Sequence, residues 1–563
     1  MRITGSIRAA MLIATALATP LAAQTATAQT ATGQTATGQT APEPVFTAAG
    51  MRGHVAFLAD DALEGRGTGT RGYDIAARYV ATQFDRLGLK PAGNAVGTDW
   101  FQPIRFQERS FGPAGASLRL TGPNGTQSWK NGTAIITRPS PFEANAAFEA
   151  PVVFAGFGLD KRDLGFDDYR GLDVKGKIVA VLAGFPKGTN SEIGAHLNAE
   201  KAKMAEARGA IAMITVPTAE YAKAFPWSTL MQYATVPRVS FLDPDGKPHV
   251  DAPGIRAGAT LDTPAAEALF AGAKRSLADV LAEADRSGGK PKGFALATRA
   301  RFQIATAYKD ITSPNVAAVL PGSDPKLAGE YIVVMGHLDH LGIRPEKEGD
   351  TIYNGALDNA AGVATVLEVA RAFAEAPTKP RRSILFLAVT AEEKGLLGAS
   401  YFAEHPTIPA DGIAGVVNLD MPLLLYDFQD VIAFGAEHST LGPQVAAAAS
   451  SLGVTLAPDP TPEEGIFTRS DHYEFVKKGV PAVFLVTGYG GEGRRHWEDF
   501  LKSRYHQPND DLAQAIDWNA AGKFARINYL IARDIADDPA RPMWNKGDFF
   551  GDTFAPGKPR AGR

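Results

Sequence analysis

The chain has 563 residues, 45% of them apolar and 21% charged, with a formal net charge of −4. That length exceeds one ordinary domain and the composition is that of a globular protein, while the charge supplies no basic field for nucleic acid or an anionic membrane. With no cysteine in the chain, thiol catalysis and disulfides are both excluded.

Arg2 and Arg8 precede an apolar stretch over 9–23, and small residues follow at Leu21-Ala22-Ala23 and Ala26-Thr27-Ala28. This reads as a signal peptide over 1–23, which predicts export to a bacterial periplasm or the extracellular space. Residues 24–45 form a low-complexity leader built on repeated Gln-Thr-Ala-Thr units, too polar to bury a core. A first globular segment covers 46–140, with an amphipathic helix over 73–87 and strands with Gly/Asn turns over 116–137. Texture changes over 145–262, where apolar runs at 152–157, 178–182 and 210–216 alternate with turns and a helical stretch lies at 197–208. That pattern predicts a small β-rich unit with its own core. An Ala-rich helical connection covers 263–304. From 305 to 535, apolar strands alternate with helices such as 360–374, the pattern of an α/β domain. The tail, 536–563, is rich in Pro, Gly and aromatics and is expected to wrap the surface. Beyond the signal, no apolar run approaches the ~18 residues that a membrane span requires.

Within 305–535 stands an ordered set of acids and histidines: His337-Leu338-Asp339, Asp358-Asn359, Glu392-Glu393, Asp420 and His506. Three of these groups end apolar runs, at 331–335, 384–390 and 416–419. Such runs read as buried strands, and open α/β sheets gather functional groups at the carboxyl ends of their strands. Carboxylates and imidazoles collected there repel one another unless compensated, and a pair of divalent cations resolves the repulsion. Imidazole nitrogens from His337 and His506 suit zinc. Asp358, in a tight turn opening a helix, is the natural bridge between two ions. Asp339 is placed to hold the tautomer of His337. Glu392 and Glu393 leave one backbone segment in different directions, so one can ligate while the other takes a proton from a water between the metals. Each group alone has an ordinary reading, as a surface pair, solvated charge or a helix cap; the signal lies in their order and in their place at strand ends.

These residues resemble peptidase family M28, the co-catalytic zinc aminopeptidases. The segments that carry the likeness are Val334-Met335-Gly336-His337-Leu338-Asp339-His340, Asn354-Gly355-Ala356-Leu357-Asp358-Asn359-Ala360-Ala361-Gly362, Thr390-Ala391-Glu392-Glu393-Lys394-Gly395, Asn418-Leu419-Asp420-Met421, Arg469-Ser470-Asp471-His472 and Tyr505-His506-Gln507-Pro508-Asn509-Asp510. The resemblance implies an α/β fold: a mixed-sheet, three-layer zinc exopeptidase domain of the phosphorylase/hydrolase-like kind, carrying an inserted small β-rich protease-associated domain. It implies two Zn2+ per chain, one held by His337 and Asp420, the other by Glu393 and His506, with Asp358 bridging them. Glu392 is then the general base and Asp339 orients His337. Tyr505 and Arg469 are substrate-side groups, for an oxyanion or a peptide carboxylate. The family likeness also implies a cis peptide at Asp358-Asn359, and a structural rather than ligating part for Asp471 and His472. Residues 145–262 resemble the protease-associated insert through Val152-Val153-Phe154-Ala155-Gly156-Phe157-Gly158, Asp167-Asp168-Tyr169 and Asp173-Val174-Lys175-Gly176-Lys177-Ile178. The peptidase domain would then be split, residues 46–140 returning to pack beside 305–535.

Two glycine-rich segments, Gly67-Thr68-Gly69-Thr70-Arg71-Gly72 and Gly488-Tyr489-Gly490-Gly491-Glu492-Gly493, match a dinucleotide fingerprint in spacing but lack its strand-helix-strand frame. Asn124-Gly125 and Asn131-Gly132 read as hairpin turns. The expected activity is removal of N-terminal residues from peptides with a free N-terminus. A carboxypeptidase or dipeptidase, a glutaminyl cyclase, and an inactive binding module on the same fold stand as alternatives.

Overall fold

The computed structural model describes residues 43–345 and 347–562; the signal and most of the leader lie outside them. Residues 43–563 make one compact unit. Its backbone is a 16-stranded sheet whose main path runs Thr455–Ala457, Asp430–Phe434, Ala482–Thr487, Ile413–Leu419, Tyr331–His337, Ser383–Val389, Phe294–Leu320, Asn145–Phe154, Ile178–Leu182, Ala212–Val216, Ala257–Leu261, Ile135–Thr137. Strand Tyr331–His337 pairs in parallel with both Ser383–Val389 and Ile413–Leu419. Successive side chains of a strand point to opposite faces, and every residue of Ser383–Val389 and Ile413–Leu419 is buried. Both faces of the sheet are therefore covered there, which is why these strands read as unbroken apolar runs. Helices Ala48–Leu58, Arg71–Arg86, Ala361–Glu375 and Trp518–Asp537 pack on the sheet and on one another. Thr70 caps Arg71–Arg86 through its hydroxyl on the Tyr73 amide. Among the described residues no helix is long and apolar enough to cross a membrane.

Two main hydrophobic cores share the sheet. One joins residues 51–92 to residues 316–555. The other gathers side chains from 116 to 304, and here the structure departs from the expected boundaries. Ala116, Leu118, Leu120 and Ile135 lie in this second core, beyond the reach of the first. Strand Phe294–Leu320 runs unbroken through residue 305, where the texture of the sequence suggests a division. It pairs with Asn145–Phe154 at one end, Ser383–Val389 at the other, and Phe101–Gly122 along its length. The expected helix at 197–208 is two helices, Ser191–Ala199 and Lys201–Ala207. Asn124-Gly125 is a hairpin turn as expected, with Gly122 paired to Gly125 at its tip, whereas Asn131-Gly132 is not: it leads from strand Gly125–Lys130 into Ile135–Thr137, which pairs with Ala257–Leu261 instead; Gly125 and Gly132 both adopt positive φ.

The tail does more than wrap. Trp544 is buried, its indole N–H donating to the Gly479 carbonyl. Phe549, Phe550 and Phe554 surround the ring of His196, whose Nδ1 meets the Tyr473 hydroxyl at 2.9 Å. Nearby, His438 lies between Asp548 (2.6 Å) and Glu192 of helix Ser191–Ala199 (3.0 Å). Burial opposes its charge, but the Asp548 and Glu192 carboxylates outweigh burial and raise its pKa to about 10. A raised folded pKa means that folding favours the protonated form. The resulting stability is complete below the unfolded pKa of ~6.5 and lost as pH climbs through about 10. The Tm gap between the wild type and His438→Gln is accordingly expected to shrink from pH 6.5 to pH 10; a gap independent of pH would refute the charged bridge.

Candidate active site

The expected groups converge at one edge of the sheet. His337 ends strand Tyr331–His337, Glu392 and Glu393 follow Ser383–Val389, and Asp420 follows Ile413–Leu419. Because these three strands are parallel neighbours, their carboxyl ends open on the same side. Asp358 reaches the site from the distorted turn Ala356–Ala360 that precedes helix Ala361–Glu375, and the Asp358–Asn359 peptide is cis, as the family likeness implies. His506 comes from the segment after helix Gly493–Ser503 and holds a positive φ of 57°.

Two donor sets share Asp358. In the first, His337 Nε2 stands 3.3 Å from Asp358 Oδ1 and 3.0 Å from Asp420 Oδ1. In the second, His506 Nε2 stands 3.3 Å from both Asp358 Oδ2 and Glu393 Oε2. Ligands placed tetrahedrally at ~2.0–2.1 Å from an ion stand roughly 3.3 Å from one another, so these separations fit two cations with Asp358 between them. His337 and Asp358 are almost wholly buried, 1% and 4% exposed, while Asp420 and His506 keep a little exposure. His340 Nδ1 approaches Glu393 Oε1 to 2.7 Å without the angle of a hydrogen bond, and among the described residues neither atom has a hydrogen-bond partner. Buried polar atoms are rarely left so. An orphaned nitrogen beside an orphaned carboxylate oxygen, together with the donor types present, fits a site that holds metal.

Electrostatics agree. Burial works against a charged His337, yet the Asp420 and Glu392 carboxylates outweigh it and hold its pKa well above the ordinary value. Burial likewise opposes the Asp358 carboxylate, but His337 and His506 hold it well below the ordinary value. Burial pushes Glu392 well above the usual carboxylate range; Asp420, Glu393 and Asp471 add to this and His337 opposes it. Asp339, Asp471 and Asp510 are raised chiefly by burial. Positive charge delivered to such a cluster relieves it.

Supporting contacts fix the donors. Asn359 donates from its amide to the Leu419 carbonyl at 2.9 Å, and its Oδ1 accepts from the Gly362 and Met421 amides. Asp510 accepts from the amides of Leu357 and Asp358. Ser470 donates to Asp420 Oδ2 at 2.6 Å. Ala391, just before Glu392, and Met421, just after Asp420, adopt φ of 57° and 45°. Left-handed non-glycine residues such as these cost of order 1–3 kcal/mol and cluster at functional sites.

One assignment changes. The Asp339 carboxylate does not orient His337: His337 Nδ1 lies 3.1 Å from the Asp339 backbone carbonyl, while the carboxylate accepts from the Glu392 amide (3.0 Å) and the Thr68 hydroxyl (3.1 Å). Residue spacing alone does not distinguish carbonyl from carboxylate. Tyr505 stacks on His506, ring centroids 3.9 Å apart, and burial raises its pKa well above the ordinary value. Arg469 is half-exposed and paired with Glu464 at 3.1 Å. Asp471 and His472 are buried beside the site; burial holds His472 to about 3, so it stays neutral. The Gly488–Gly493 loop is pinned where Asp430 Oδ1 accepts from the Gly490 amide.

The sequence reading missed His340 and Arg66. His340 was visible inside the His337-Leu338-Asp339-His340 segment. Arg66 precedes the first glycine-rich segment, whose glycines serve packing: a Cβ on Gly72 would fall 1.7 Å from the Leu63 carbonyl oxygen, and one on Gly67 3.2 Å from Gly342 Cα.

Residues 315–532 match the model described as peptidase family M28. A stretch of 109 residues is 42% identical to a protein of Pyrenophora teres f. teres named "Probable zinc metalloprotease", covering 19% of this chain and 22% of that one. A longer stretch of 264 residues is 28% identical to "probable leucine aminopeptidase 2" of Aspergillus oryzae, covering 42% of this chain and 48% of that one. The chain thus spans between about a fifth and a half of the length of these curated relatives. In fold it is similar to an aminopeptidase from Aneurinibacillus sp. strain AM-1, with 22% identity, coverage of 88% of this chain and 95% of that one, and a TM-score of 0.51. The acids and histidines gathered at the carboxyl ends of the parallel strands lie inside the residues that are similar to peptidase family M28.

Proposed function

We propose that this protein is a zinc-dependent aminopeptidase with two ions per chain. The observation that carries the reading is the buried convergence of His337, Asp358 and Asp420 with Asp358, Glu393 and His506, with Glu392 on the same segment as Glu393. When bound, the cations supply Lewis acidity to a scissile carbonyl and lower the pKa of water. Glu392, whose pKa burial raises, is the carboxylate placed beside the donor sets to take a proton from the attacking water and return it to the leaving nitrogen. Tyr505 keeps its phenolic proton and offers it to the developing oxyanion. The free amine of the substrate is met by the acidic wall of the site. Residues 145–262 act as a protease-associated insert that limits which peptides enter. In support, strand Arg238–Phe241 of that segment packs Val239 and Phe241 against Ala391, beside Glu392.

The alternative of a carboxypeptidase rests on Arg469, a cation suited to a substrate carboxylate. Short peptides with free and acetylated N-termini separate the two readings, run on zinc-loaded and chelator-stripped enzyme with both ends followed by mass spectrometry. Stepwise loss of N-terminal residues that requires metal and is blocked by acetylation is expected. Trimming from the C-terminus regardless of acetylation would establish the carboxypeptidase, and no turnover of any peptide would point to a binding module.

A further inference from the structure

His340 has no part in the ligand set that the family likeness implies, yet it occupies the second donor set. Its imidazole is fully buried, and among the described residues neither ring nitrogen has a hydrogen-bond partner. Nδ1 faces Glu393 Oε1 at 2.7 Å and Asp358 Oδ2 at 4.0 Å, and Glu393 Oε1 is itself without a partner. His340, Asp358 and Glu393 form a donor cluster compact enough to hold one ion. The other oxygen of Glu393 and the same oxygen of Asp358 face His506. The two imidazoles therefore address the same pair of carboxylates, with their rings 5.9 Å apart.

The surroundings hold the ring in that place. The His340 amide donates to the Arg66 carbonyl at 3.2 Å. Gly355, at φ 58°, stands against the flat of the ring; a Cβ there would fall 2.6 Å from His340 Cγ and Cδ2. A side chain at 355 would drive the imidazole out of the cluster. Leaving a buried polar atom unbonded costs about 1–3 kcal/mol, and His340 together with Glu393 leaves three such atoms. A cation bonded to His340 Nδ1 and Glu393 Oε1 removes two of these deficits at once.

We infer that His340 is a fourth protein ligand of the second cation position, beside Asp358, Glu393 and His506. The two positions then differ in kind. The first, with His337, Asp358 and Asp420, keeps a coordination place for substrate or water; the second is closed by four protein donors, as in structural zinc sites. This inference rests on the two-cation reading above, and the experiment separates the two.

X-ray absorption on zinc-loaded wild-type protein counts imidazoles directly. Three histidines over two ions give about 1.5 imidazoles per zinc, and two give about 1.0. His340→Ala and His340→Asn, titrated against a chromophoric chelator, are expected to keep one zinc at wild-type affinity. The other should weaken by more than about 100-fold, beyond the range found on losing a partner that only orients a ligand. Two bound zincs with about 1.0 imidazole each, or variants with unchanged affinity, overturn the role of His340 and leave the two-metal reading standing. Wild-type protein that takes up no zinc overturns both. Should the variants fail to fold, the wild-type count alone decides.

Discussion

Replacing Glu392 by Gln is expected to leave zinc content, fold and KM nearly unchanged while kcat falls by at least ~10²-fold, the usual contribution of a positioned base. Gln has the shape of Glu without its basicity, so the substitution removes proton transfer and little else. The segment is well placed to tolerate it. The Glu392 amide is held by Asp339 Oδ1, and its carbonyl accepts from the Gly395 and Leu396 amides. The backbone at 391–392 is thus set by contacts that the variant keeps. Glu393, its neighbour, faces His340 and His506, so Glu393→Gln should instead deplete metal. Steady-state kinetics with metal analysis on the same preparations distinguishes the two. An active Glu392→Gln enzyme would move the base to another residue.

The second large effect is expected at Arg66. Its guanidinium is fully buried and spends its donors on backbone carbonyls: Leu338 at 2.9 Å, Asn354 at 2.6 Å, Gly355 at 3.0 Å, and Leu58. Two of these carbonyls flank the turn that delivers Asp358, and one lies between His337 and Asp339. Burial lowers the Arg66 pKa to about 10, and the carboxylates of Asp510, Asp339, Asp358 and Glu393 oppose that, so it stays charged at neutral pH. One cation thereby ties residues 338–340 to residues 354–355 beneath both donor sets. Arg66→Met strands the Leu58, Leu338 and Asn354 carbonyls, each worth about 1–3 kcal/mol, while the Gly355 carbonyl keeps the Ala360 amide, and a loss of at least ~3 kcal/mol in unfolding free energy is expected from denaturant titration. Arg66→Lys keeps the charge but not the planar fork and should fall between the two. An unchanged midpoint and zinc affinity in Arg66→Met would dismiss the clamp.

Much of the site was legible because its chemistry coincides with its topology. Buried parallel strands appear as apolar runs, and a polar residue that closes such a run has to stand at the sheet edge, as His337, Glu392 and Asp420 do. His340 escaped because a third residue after a ligand can turn either way; here its amide is held by the Arg66 carbonyl, from a segment far away in sequence. Arg66 escaped because its partners are carbonyls, which leave no trace in sequence. The domain boundaries failed for a different reason. Strand Phe294–Leu320 begins with alternate residues exposed and ends almost wholly buried. One strand therefore passes from a half-wet pattern to a dry one, and that change of period mimics a division of the chain.

That strand also bears on how peptides are selected. It hydrogen-bonds Phe101–Gly122 from Arg299 opposite Thr121 to Val316 opposite Phe101, interrupted only by a shift between Ile304 and Thr306. Swinging the second core away from the first would shear this ladder and the flanking ones, at roughly 1 kcal/mol net per bond. Enzymes that close a lid on their substrate keep such connections few and loose. Here the two cores are splinted together, so their relative placement is set when the chain folds. Under the proposed function, changes in specificity between relatives should therefore come from side chains around the site, with hinge residues contributing little.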